Sequence, residues 1–200
     1  VDKVGYGDCK GLTNYTKALL DAVGVTSYYT VVFAQDRRDI DKEFASLQGN
    51  HVILNIPNGD KDVWLECTSQ TTPFGFLGDF TDDRNVLVIT PEGGIIKRTP
   101  KYINQDNLQT IKADVNLLEN GSLTASLVRK SYGIQYNDKY YLADDSKSDL
   151  EKYYKSTVWD YNNNLEVQKI NIVNNKENIE FIENIDLTIK DYARVKDSSF

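Results

Sequence analysis

The stretch "GYGDCKGLTNYTKALLDAVGV", residues 5–25, predicts a helix over 9–23 with a cysteine in its first turn. Asp8 stands where an N-cap carboxylate accepts a free backbone N–H, and Gly24 where a chain leaving a helix takes up a left-handed conformation. Between them Leu12, Tyr15, Leu19 and Val23 recur at helical spacing. The first turn of a helix carries unpaired N–H groups and the positive end of the dipole. A thiol at Cys9 therefore lies in surroundings that favour the thiolate, the nucleophilic form. The same amides can donate to the oxyanion formed when a thiolate attacks a carbonyl. Position alone leaves the alternative of a small buried residue equally open.

Outward from this helix the chain reads as α+β. "TSYYTVVF" (26–33) is β-branched and aromatic, hence a strand, and 34–49 form a polar loop. "HVILNIP" (51–57) and "DVWLECTS" (62–69) are strands around Asn58-Gly59, and "TTPFGFLGDF" (71–80) is an aromatic loop broken by Pro and Gly. "NVLVIT" (85–90) and "GIIKRT" (94–99) pair around "PEG". "PKYINQDN" (100–107) reads as a linker, after which the character changes. Asn120-Gly121 is a hairpin signal between two alternating runs. "SDLEKYYKSTVWDY" (148–161) predicts a helix opened by a Ser148/Glu151 capping box, with Leu150, Tyr153, Tyr154 and Val158 on one face. "NLEVQKINIVNN", "NIEFIEN" and "IDLTIKDYARV" predict alternating strands. Two units follow: 1–102, a helix on an antiparallel sheet, and 103–200, a β-rich, sandwich-like domain with one helix.

The turn at Asn58-Gly59 makes a geometric prediction. With those two residues at its centre, Asn55 pairs with Asp62, Ile53 with Trp64 and His51 with Glu66. The chain's one histidine then lies opposite a carboxylate, which can accept the imidazole N–H, fix its tautomer and stabilise the imidazolium. A lone histidine in a strand is more often structural, and a one-residue slip turns the pair apart. Alternation sends Cys67 to the other face with Val63 and Leu65, away from the ring. That disfavours Cys67 as a disulfide partner of Cys9. A Cys/His/Cys zinc site is the rival, but the separations match no compact zinc pattern.

Composition narrows the partners. A net charge of −7 argues against nucleic acid or an anionic membrane as the main partner. No apolar run approaches the roughly 20 residues that span a bilayer. Two cysteines are no disulfide framework. No cofactor is implied: there is no calcium loop and no phosphate-binding glycine pattern, and "DRRDID" (36–41) reads as a solvated loop. Tyr28, Tyr29, Trp64, Phe74 and Phe76 are candidates for the walls of a substrate cleft, with ordinary core packing as the alternative.

Taken together, "GDCKGLTNYTKALLDAVGV", the strand "NHVILNIP", and "VWLECT" followed by "TPFG" resemble the transglutaminase-like superfamily, over roughly residues 5–80. That family shares its fold with papain-like cysteine proteases and carries Cys, His and Asp in this order. The resemblance implies Cys9 as nucleophile, His51 as base and Glu66 as the orienting acid. Glu66 stands where the family has Asp, with a longer arm. Within the family the chain looks most like bacterial, Bacteroidetes-type multidomain proteins, in which a β-rich domain precedes the core and another β domain follows it. Residues 103–200 look like that last domain. The resemblance further implies that 1–102 is a core truncated at its N-terminus, with an upstream domain of the same polypeptide. It implies a protein or peptide substrate and a secreted or cell-envelope location. The activity implied is cysteine-dependent hydrolysis or acyl transfer at an amide; the alternative is a non-catalytic binding or scaffold module that keeps a relic triad.

Overall fold

A computed structural model describes residues 1–195 as a mixed α+β chain in two compact units that divide between Ile103 and Asn104. The first unit opens with α1 (Cys9–Ala22), capped as its residues dictate. The Asp8 carboxylate accepts from the Gly11 N–H at 2.8 Å. At the other end Gly24, at φ +77°, lets the Val25 N–H reach the Leu20 carbonyl and its own N–H reach Asp21. This is the paired closure that a glycine just past a helix permits.

Five antiparallel strands follow: β1 (Tyr28–Val32), β2 (His51–Ile56), β3 (Val63–Leu65), β4 (Asn85–Thr90) and β5 (Gly93–Arg98), in the order β3-β2-β1-β4-β5. A short helix, α2 (Gly78–Thr81), ends the aromatic loop. Val32, Ile53, Trp64, Leu77, Val86 and Val88 form the core on one face, with Tyr28 packed against them. Each such burial contributes about 1.5–3 kcal/mol. Helix α1 packs on β2, where the Thr13 hydroxyl, fully buried, donates to the Val52 carbonyl at 3.4 Å. The stripe it turns inward is Cys9, Thr13, Thr16 and Leu20, while Leu19 and Val23, expected on the apolar face, are exposed. The hydroxyls are tolerated there because each is satisfied, Thr16 by the Leu12 carbonyl at 3.0 Å.

The β2–β3 register differs from expectation. Asn55, not Ile53, lies opposite Trp64, and Leu54 lies opposite Leu65. The Lys61 N–H bonds the Asn58 carbonyl at 3.1 Å, so Gly59 and Asp60 are the central turn residues, with Gly59 at φ +56°. Pro57, which has no N–H to give, ends the ladder at Ile56. Moving the turn centre by one residue moves every partner by two, and a two-residue shift keeps each side chain on its face.

The second unit is one four-stranded antiparallel sheet: β6 (Gln109–Leu117), β7 (Leu123–Tyr132), β8 (Leu165–Asn175) and β9 (Glu180–Ile189), ordered β6-β7-β9-β8. Its apolar face is covered by helical segments rather than by another sheet. These are α3 (Ile134–Asn137), a 3₁₀ turn at Tyr140–Asp144, α4 (Lys147–Tyr153) and a π-helical turn at Tyr154–Val158. Helix α4 is capped by Ser146, whose hydroxyl accepts from the Asp149 N–H, two residues ahead of the expected Ser148. The runs "NIEFIEN" and "IDLTIKDYARV" are not two strands: β9 runs unbroken through Asn184 and Ile185. At its centre Glu183, fully buried, takes both an Arg129 guanidinium fork and the Tyr154 hydroxyl.

Candidate active site

The structure brings two of the three expected triad residues together. His51 Nε2 lies 2.8 Å from Glu66 Oε2, and both side chains are more than nine-tenths buried. They are not directly opposite. The observed register, carried past Leu65, sets Glu66 level with Ile53 and diagonal to His51. Diagonal neighbours are about 7–8 Å apart at Cα, within reach of a long side chain. The extra methylene of Glu66 spans that offset.

Glu66 is itself held. Its other oxygen, Oε1, accepts from the Thr68 N–H at 2.9 Å and the Thr68 hydroxyl at 2.5 Å. Burial opposes ionisation of this carboxyl, but the hydrogen bonds from His51 and Thr68 outweigh it and hold the pKa below the ordinary value. An ionised Glu66 fixes the proton of a neutral His51 on Nε2. That leaves Nδ1 as the basic nitrogen, and it makes no hydrogen bond to any described residue. The Phe80 ring, from α2, meets the imidazole edge-on at 5.2 Å between centroids.

Cys9 sits in the first turn of α1, partly buried and near Tyr29, whose place in the sheet shares a face with Leu54 and Leu65 rather than with His51. Its thiol makes no hydrogen bond to the imidazole. Cys67 turns to α1 instead. Burial raises its thiol pKa, against the opposing hydrogen bonds of Thr16 and Thr13. Both cysteines are free, and no cluster of three or more His, Cys, Asp or Glu that could hold a metal occurs among the described residues.

The expected cleft aromatics scatter. Trp64 is 3% exposed and belongs to the core, because its strand position turns the indole inward beside Ile53. Tyr28 packs against the same cluster, Phe76 is buried with its ring 5.4 Å from that of Tyr102, and Phe74 stands 76% exposed. Tyr29 is half-buried, its phenol pKa raised first by burial and then by the nearby Cys9 and Asp8.

Three contributors leave little mark in the sequence. Phe80 was signalled only by the aromatic loop, and Thr68 only by following the acid directly. Arg84 had no signal. Its guanidinium, 1% exposed, donates to the carbonyls of Asp82, Phe33, Asp36 and Asp79, tying the loop after Val32 to the segment that carries Phe80.

No family model, no curated protein and no solved structure matches the chain. No helix among the described residues is long and apolar enough to cross a membrane.

Proposed function

We propose that the first unit carries a thiol site for acyl transfer or hydrolysis at an amide, of the transglutaminase-like kind. Cys9 attacks a carboxamide or peptide carbonyl as its thiolate, and the proton it gives up goes to Nδ1 of His51. The oxyanion draws on the Cys9 N–H, which the Asp8 cap leaves open at the start of α1. The imidazolium, steadied by Glu66, then protonates the leaving amine, and a thioester remains on Cys9. Water or a second amine resolves it. This course requires the Cys9 thiol to reach Nδ1 at the start of β2.

The observation that supports the reading best is the His51–Glu66 bond, 2.8 Å long, made in a sheltered position at the start of a strand and anchored behind by Thr68. The motif order and the place of Cys9 at a helix start support it further. A secreted or envelope location and an upstream domain belong to the same proposal. The test is incubation with glutamine-containing peptides, with and without a primary amine. Ammonia release or amine incorporation that disappears in Cys9→Ala and in His51→Gln supports the reading. A folded protein inert to every peptide and to acyl-directed thiol probes favours a non-catalytic module instead.

A further inference from the structure

The second sheet has one open edge of an unusual kind. All nine residues of β6 are exposed, and the strand is paired on one side only, with β7, in unbroken register. Sheet edges are ordinarily blunted by shortness, glycine, proline, a bulge or charged side chains. The other edges here follow that rule: β3 has three residues, β5 begins with two glycines, and β8 is irregular between Val167 and Lys169. β6 has only the last of these, Lys112 and Asp114, and they are of opposite sign and two residues apart on one face. Its alternate residues Ile111, Val115 and Leu117 are 60%, 54% and 60% exposed, and they share a face with the buried Leu123 and Leu187.

We infer that β6 pairs antiparallel with β6 of a second copy, about a two-fold axis at Ala113, joining the two sheets edge to edge. The strand is complementary to its own reverse. In this register Lys112 faces Asp114 of the second copy and Asp114 faces its Lys112, so two opposite-charge pairs form on one face. On the other face Ile111 meets Val115 of the second copy, and Thr110 pairs with Asn116 on the charged face. Moving the axis one residue either way sets Lys112 against Lys112 or Asp114 against Asp114. This self-complementary charge order is what selects a second copy rather than an unrelated strand.

Sedimentation of the full chain tests the inference, over concentrations up to about 1 mM. A reversible dimer is expected. Lys112→Asp and Asp114→Lys, both at exposed positions, each set two like charges together and weaken the dimer by about tenfold or more. An equimolar mixture of the two variants recovers the wild-type affinity, because every aspartate of one chain then faces a lysine of the other. Circular dichroism shows whether each variant keeps its fold. A chain that stays monomeric throughout overturns the inference. So does a dimer indifferent to the reversals, or a mixture no tighter than the single variants.

Discussion

At the scale of the residue, one carboxylate decides how the imidazole behaves. Glu66 keeps a lowered pKa because three donors converge on it despite its burial. Its contribution to stability is therefore complete above its unfolded value, near 4.5, and is lost as pH falls through the lower folded value. Glu66→Gln should cost about 1–3 kcal/mol at pH 7. The gap between the two melting curves should close on acidification. Glu66→Asp should lose the contact with His51, since the shorter arm does not span a diagonal pair, and thermal melting at pH 7 should place it nearer to Glu66→Gln than to the wild type. The identity of this pair was legible in the sequence; its geometry was not. Parity survives a two-residue shift, so the face came out right although the direct partner did not. The burial of Arg84 was hidden for a different reason. An arginine in "DDRN" reads as solvated until the fold supplies four carbonyls for it. Arg84→Met should strand those acceptors and cost about 3 kcal/mol or more in chemical denaturation.

At the scale of the element, small local contests moved boundaries without changing types. Pro57 shifted a turn, and Ser146 caps α4 in place of Ser148, its hydroxyl accepting from the Asp149 N–H. Asn184 read as a break, yet β9 passes through it, since Glu183, Ile185 and Leu187 continue one buried row. Helix α1 was foreseen with its caps, but its inward face was not. Leu12, Tyr15, Leu19 and Val23 made the stronger apolar pattern, and the two threonines won the packing by finding carbonyl acceptors. The β6–β7 hairpin shows what such an element tolerates. Gly121 has φ +81°, and a Cβ there would lie 2.3 Å from the Ala193 carbonyl oxygen. Gly121→Ala combines backbone strain with a clash and should destabilise the second unit by about 2 kcal/mol or more, read as an earlier thermal transition for that unit alone.

At the scale of the whole molecule, the chain is two folding units joined near Ile103, each with its own core. Limited trypsin digestion should cut after Lys101, in the exposed joining stretch, and leave two resistant fragments. The α+β class and the division of strands were readable because alternation, glycines and caps are local signals. Where the thiol stands relative to the imidazole was not, since α1 and β2 are distant in sequence and meet only through tertiary packing. The proposed chemistry needs the thiol within reach of the imidazole, and the rate of Cys9 alkylation tests that most directly. Iodoacetamide at neutral pH, followed by mass spectrometry of both cysteines, should modify Cys9 far faster than Cys67, and His51→Gln should slow Cys9 about tenfold or more while leaving Cys67 unchanged. A Cys9 no faster than free cysteine, and indifferent to the loss of His51, would contradict it.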